Sequence, residues 1–237
     1  DQEDVDHVYR IGIDHQLTLT RELLPTITTQ DVNALVREWM IDRNRVIVVQ
    51  APEKEGVRVP AQAELLAVFE RVRQTDLAAY QDDVADAQLI ASLPPAGHVV
   101  SERKLEPVDV TEWRLSNGAR VLLKPTDFQA DEIVMTAYSP AGSSLVDDRD
   151  YVSMLLAGTL VGQSGIGSFS ATQLTKALAG KVANVAPYLG SNEEGLSGSA
   201  SPRDFETMLQ LTYLMMTGAR RDSAAYQSIM ARFPAFL

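Results

Sequence analysis

The sequence predicts an α+β fold in which helices pack on an antiparallel or mixed sheet. Three observations carry this. Helical and strand-like stretches alternate without the regular strand–helix–strand rhythm of a doubly wound parallel sheet. Asn117-Gly118 sits between two apolar-rich runs, a hairpin signature. Several helical stretches open on their own capping residues, so their N-termini can be read directly.

Thr28 and Asp31 form a box-like N-terminal cap. Val32, Leu35, Val36 and Trp39 follow at i, i+3, i+4 and i+7, one apolar helix face. Asp42-Arg43-Asn44 ends that helix. Val46 to Val49 is a continuous β-branched run, the pattern of a strand buried on both faces. Pro52, Gly56 and Pro60 mark its exit. Leu65, Leu66, Phe69 and Val72 give a short amphipathic helix. The alanine-rich, acidic stretch Leu77 to Leu89 predicts another, stopped by Pro94-Pro95 and Gly97. Ser101 to Pro107 is charged and carries no periodic apolar signal, so it reads as linker.

From about Val108 the pattern changes. Trp113 to Ser116 and Arg120 to Leu123 flank Asn117-Gly118, which fits the two positive-φ positions of a type I′ turn. Ile133 to Tyr138 reads as a strand, and Tyr151 to Gly162 as a largely apolar helix. Ser170 and Gln173 form a capping box ahead of Leu174, Ala177 and Leu178, with Gly180 as the C′ residue. Lys181 to Leu189 is strand-like, and Pro187 places it at an edge or bulge. Leu196 to Ala200 pairs with it across a turn at Asn192-Glu193-Glu194-Gly195. Ser201-Pro202, with Asp204, starts a strong helix whose inner face holds Phe205, Met208, Leu209, Thr212, Met215 and Met216. Gly218 ends it. Asp222 or Ser223 begins a last helix, broken at Phe233-Pro234.

Composition narrows the function classes. The 237 residues suffice for one large or two smaller domains, and 45% hydrophobic content supports a sizeable core. The formal charge is 21 minus 32, or −11, which repels phosphate backbones and argues against nucleic-acid binding. Arg103-Lys104 and Arg220-Arg221 each adjoin an acid and read as solvated surface. Absence of cysteine excludes disulfides and thiolate chemistry. No stretch approaches the ~18 to 20 apolar residues of a membrane span. The acidic opening, Asp1-Gln2-Glu3-Asp4, is unlike a signal peptide and reads as a mature form or a piece of something longer.

Candidate sites are few. The three histidines are His7, His15 and His98, whereas a zinc site needs three or four donors converging at ~2 Å. HExxH and HxxEH are both absent. His7 and His15, eight residues apart, lie too far apart to share a metal unaided. Gly165-Ile166-Gly167 resembles part of a phosphate loop, but a helix precedes it and Ser170 stands where the last glycine belongs; it reads as a flexible helix-to-helix turn. Ser197-Gly198-Ser199 and Ser143-Ser144 lack the Gly-x-Ser-x-Gly context of a nucleophile and read as tight turns. The adjacent carboxylates Glu193-Glu194 and Asp147-Asp148 point apart in exposed turns rather than face each other across a cleft. Met208, Met215 and Met216 read as core filler. No residue is assigned a catalytic, cofactor-binding or metal-binding role.

At the hairpin the residues become familiar. Trp113-Arg-Leu-Ser-Asn-Gly-Ala-Arg-Val-Leu-Leu-Lys-Pro125 resembles the opening strand pair of a half-molecule of the pitrilysin/insulinase zinc metallopeptidases. Ala141-Gly142-Ser143-Ser144 ahead of a helix, Ser170 to Gly180 ahead of a strand, and Leu196 to Glu206 entering a long helix follow in the family's order. Ile27 to Trp39 and Arg45 to Gln50 are similar to the closing helix and strand of a preceding domain. The resemblance covers about three quarters of the chain.

It implies a processing-peptidase-like α+β fold and a three-part organisation: residues 1–55 closing one domain, 56–107 a helical linker, and 108–237 a non-catalytic domain truncated at its end. It implies a parent zinc metalloendopeptidase whose first domain carries HxxEH, with zinc held there and none here. The helix matching the zinc helix, Tyr151 to Gly162, contains no His and no Glu. The expected role is therefore scaffold and peptide-chamber wall. The partners are peptide or unfolded-protein substrates, the remaining parent domains, and a second copy through self-association. The implied location is the bacterial periplasm or cell envelope. Two other readings belong to different classes: a non-peptidase structural subunit of the same fold, and a stand-alone peptide-binding module.

Overall fold

The computed structural model describes residues 12–41, 43–53, 55–78, 81, 84 and 87–232. It divides into two units, Asp1–Ala78 and Ala79–Leu237.

The first unit contains helices α1 (Ile13–Leu23), α2 (Thr29–Trp39) and α3 (Gln62–Arg73). The cap of α2 is built as expected. Thr28 Oγ1 accepts from the Asp31 amide at 3.2 Å, and Asp31 Oδ2 accepts from the Thr28 amide at 2.8 Å. The apolar face of α2 is exposed, with Trp39 at 73%. None of the described residues of this unit is buried. In α3, Phe69 receives the Arg45 guanidinium 4.9 Å above its ring.

Two expectations fail here. Val46–Val49 forms no strand, and its side chains are between 39% and 84% exposed. A strand exists only as part of a ladder, and no described residue pairs with this run. Of the helix expected over Leu77 to Leu89, the described residues Leu77, Ala78, Gln81, Val84 and Ala87 to Leu89 are not helical. Isolated short helices are marginal in water without a packed apolar face, and this acidic stretch offers little of one. The rest of that stretch lies outside the described residues, as do Asp42 and Phe233-Pro234.

The second unit contains two antiparallel three-stranded sheets. The first is ordered β1 (Val99–Leu105), β2 (Val110–Leu115), β3 (Arg120–Leu123). Strand β1 corrects the linker reading of Ser101 to Pro107. Its charged side chains find partners across the strands, so pairing rather than burial holds it. Arg103 lies opposite Glu112, and Glu102 accepts from Trp113 Nε1 at 2.8 Å. The Asn117-Gly118 hairpin is present, but its turn is not type I′. Leu115 N donates to Ala119 O at 2.8 Å and Gly118 N to Leu115 O at 2.9 Å, leaving a three-residue loop. Only Gly118 has positive φ, +86°; Asn117 instead accepts from the Ala119 amide. One left-handed glycine after an ordinary turn suffices for a loop of this length.

The second sheet, ordered β4 (Ile133–Pro140), β6 (Glu193–Ala200), β5 (Ala183–Leu189), carries the core. Pro187 lies on edge strand β5, as its missing N–H requires. The β5–β6 turn is tighter than expected. Leu189 pairs with Glu194 and Gly190 N donates to Glu193 O, so Glu193 and Glu194 belong to β6 rather than to the loop. Four helices complete the unit: α4 (Asp148–Ser164), α5 (Ala171–Ala177), α6 (Phe205–Thr217) and α7 (Ser223–Arg232). The Ser170–Gln173 capping box opens α5, and Gly180 follows it at φ +76°. Asp222 caps α7 through the amides of Ala224 and Ala225, each at 3.0 Å.

Alternation along β6 sends Leu196, Gly198 and Ala200 toward α6, where Met208, Leu211 and Leu214 are buried. The inner face of α6 is thus rotated from the one expected. Leu211 and Leu214 point inward, whereas Leu209 and Met216 are 45% and 67% exposed. Buried Asp204 ties α6 to β5. Its Oδ2 accepts from the Val182 amide at 2.9 Å and from Ser201 Oγ at 3.0 Å. The Val182 amide, with Ser201 and Arg203, holds this carboxyl below the usual aspartate range against the opposing effect of burial.

Candidate functional site

The sequence-selected candidates do not converge. His15 is exposed on α1, His98 is exposed ahead of β1, and His7 lies outside the described residues. His98 serves through its backbone, donating its N–H to Ser116 Oγ and accepting from the Ser116 amide. Among the described residues no group of three or more His, Asp or Glu is placed to hold a metal.

Gly165-Ile166-Gly167 is a closely packed crossing rather than a flexible turn. Ile166 is 1% exposed and bridges both Phe169 and Ala219. A Cβ on Gly165 would lie 2.2 Å from the Phe169 carbonyl oxygen, and φ there is +80°. Ser143 and Ser144 are also structural: their amides donate to Gly190 O and Ser191 O, clamping the β5–β6 loop. Ser197 and Ser199 lie within β6, not in a turn. Asp147 is the N-cap residue of α4, with Asp148 and Asp150 in its first turn, where carboxylates complement the helix dipole.

Among the described residues, a groove of about 560 Å³ lies in the second unit between its second sheet and two helices. Its floor is the helix-facing end of the second sheet, with Ala137 and Ser139 from β4, Pro187 and Leu189 from β5, and Glu194 and Leu196 from β6. One wall is α4, whose Met154, Ala157, Gly158 and Val161 follow at i, i+3, i+4 and i+7. The other wall is the end of α6, at Met215 and Met216. A Cβ on Gly158 would meet nothing within 4 Å, so that residue leaves open volume. Glu194 is the groove's charged lining residue, and it forms no ion pair among the described residues. Sequence reasoning missed this groove. The signal in the sequence was the pair of small residues Ala157-Gly158, three and four positions after Met154 on one face of α4.

A second charged cluster sits on the first sheet. Glu112, 4% exposed, accepts from Arg103 through Nε at 3.0 Å and also through Nη2, and from Arg120 Nε at 2.6 Å. The Arg103 hydrogen bond, with Arg120, keeps its carboxyl below the usual glutamate range. Its oxygens are saturated by guanidinium donors, which suits structure rather than proton transfer.

No family model matches the chain. A zinc protease PQQL-like protein of Arabidopsis thaliana is 25% identical over 207 residues, 87% of this chain and 19% of that protein. The probable zinc protease PqqL of Haemophilus influenzae is 20% identical over 210 residues, 87% of this chain and 22% of that protein. Among solved structures, the periplasmic protease PqqL from Escherichia coli superposes with a TM-score of 0.59 at 21% identity, covering 95% of this chain and 25% of that one. The chain resembles the pitrilysin/insulinase-type zinc proteases over most of its length. A further neighbour is the ferredoxin protease FusC, solved in mutant form in complex with Arabidopsis ferredoxin, with a TM-score of 0.56 at 21% identity, covering 94% of this chain and 25% of that one. The α+β architecture is that of the insulinase-like metallopeptidase fold. The chain spans about a fifth of the length of the curated relatives it matches.

The zinc implied by these relatives does not fit α4. That helix presents thioether, methyl and Cα–H groups to the groove, none of them a ligand for Zn²⁺ or a base for water.

Proposed function

We propose that this chain is a central, non-catalytic region of a zinc metalloendopeptidase, serving as scaffold and as part of the wall of its peptide chamber. In this reading residues 1–55 close one α+β domain, the link that begins at 56 gives way to β1 at Val99, and the chain from there onward forms a second domain that keeps the fold without its chemistry. Zinc and HxxEH belong to the parent's first domain. The substrates are peptides or unfolded proteins reached through the parent, whose location is the periplasm or cell envelope. The FusC–ferredoxin complex and the periplasmic PqqL protease support these last two points by likeness.

One observation carries the reading. The helix that the family resemblance sets against the zinc helix, α4, lines a groove at the end of the sheet while bearing no His and no Glu in Tyr151 to Gly162. The fold is kept and the ligands are missing.

Zinc content by mass spectrometry, paired with a broad fluorogenic-peptide assay on the purified chain, tests it. The expected result is no stoichiometric zinc and no cleavage. About one zinc per chain with chelator-sensitive cleavage would overturn it.

A further inference from the structure

We infer that the groove beside α4 binds a peptide segment by taking up a lysine or arginine side chain, with Glu194 receiving its charge. The inference rests on the chamber-wall reading, which supplies the reason for peptide to be nearby; the groove's own chemistry supplies the selectivity.

Strand alternation places the charge. Glu194 shares a face of β6 with Leu196, which is 7% exposed beneath the helices. Glu194 therefore stands at the open end of an apolar face, not on the solvent side of the sheet. Around it the lining is Ser139 directly opposite on β4, then Leu189, Pro187, Met216 and the α4 stripe, with no Lys, Arg or His among the described residues. A lone carboxylate at the mouth of an apolar groove matches a side chain with an apolar stem and a cationic tip. Lysine and arginine are built that way, laying their methylenes along apolar surface while the head stays wet. A free carboxylate or phosphate would meet repulsion from Glu194 and from a chain of net charge −11. A purely apolar side chain would leave that carboxylate unpartnered.

Room for the stem comes from α4. Gly158 and Ala157 occupy the stripe where larger residues would close the groove, and the space over Gly158 is open. The methionines opposite, Met154 and Met215, adapt to irregular contacts without a rigid shape of their own.

The test is fluorescence anisotropy on the full 237-residue chain. Two labelled unstructured peptides are titrated, identical except that one central lysine is replaced by norleucine, which keeps the stem and drops the charge. Lysine should bind about threefold tighter, the range of a solvent-accessible ion pair. Glu194→Gln should erase that preference. Gly158→Leu, which fills the groove at a helical position, should weaken both peptides at least about tenfold with an unchanged or higher Tm. Equal binding of the two peptides by the wild-type chain would overturn the inference, as would full binding by the Gly158→Leu chain. Self-association abolished by Gly158→Leu, without peptide binding, would assign the groove to a second copy and also overturn it. Zinc assayed on the same sample keeps the outcomes apart. Stoichiometric zinc defeats the non-catalytic reading whatever the peptides do, and absent zinc with equal peptide binding defeats this inference alone.

Discussion

Asp204 shows how one side chain joins distant segments. Buried at the start of α6, it accepts from the Val182 amide 22 residues away and from the Ser201 hydroxyl that caps the same turn. Its carboxyl is held below the ordinary aspartate range in the folded chain. The unfolded chain therefore binds its proton first as pH falls. The stabilisation is fully present above the ordinary range and is lost as pH drops through the depressed value. Urea midpoints at neutral pH and on the acid side of the carboxylate range should show the wild-type chain losing stability, and Asp204→Asn should lose less across that interval while being weaker at neutral pH. Glycines give a second residue-scale contrast. A Cβ on Gly195 would sit 1.9 Å from the Ala137 carbonyl and 2.9 Å from the Tyr188 ring, so Gly195→Ala should cost about 3 kcal/mol or more by overpacking. Gly158 faces open space within a helix, and Gly158→Ala should stabilise by about 0.5 to 1 kcal/mol. Thermal melts of the two variants should move in opposite directions.

Elements behave as their local chemistry dictates wherever a cap or turn is self-contained. The α5 box closes through Ser170 Oγ and the Gln173 amide at 3.3 Å, and Ser170→Ala should cost about 1 kcal/mol by urea unfolding. The β2–β3 hairpin has a sharper test. Because Gly118 alone adopts positive φ, Gly118→Ala should cost more than Asn117→Ala. Equal costs would instead indicate the two-residue turn that the dipeptide suggested. Strand β1 marks the opposite case. Its alternating charges give no apolar period, yet Arg103 and Arg120 close on buried Glu112 across the ladder. A strand held by cross-strand ion pairs becomes visible only once its partner is known.

The two units differ in what they bury. The second has a core around Met208, Leu211 and Leu214 against β6, and Met208→Ala should cost about 2 to 5 kcal/mol, measured by chemical denaturation. The first leaves α2's Val32, Leu35, Val36 and Trp39, and Val46 to Val49, at 39% exposure or more. A patch of this kind marks an interaction surface. In the proposed parent, neighbouring strands and helices cover it. In this chain alone, self-association is expected, read as concentration-dependent mass by light scattering. A monodisperse monomer with freely exchanging amides at 46–49 would sink that expectation.

The sequence by itself determined the α+β class, the caps at Thr28, Ser170 and Ser201, the edge position of Pro187, the hairpin at Asn117-Gly118 and the likeness to a zinc-protease half. Each is local: a side chain bonding within four residues, a missing N–H, or a motif read in order. Only the tertiary structure decided the strand at Val99–Leu105, the rotation of α6, the transfer of Glu193 and Glu194 from loop to strand, and the groove beside α4. Those depend on partners outside the segment itself. Burial and register are properties of the partner as much as of the segment.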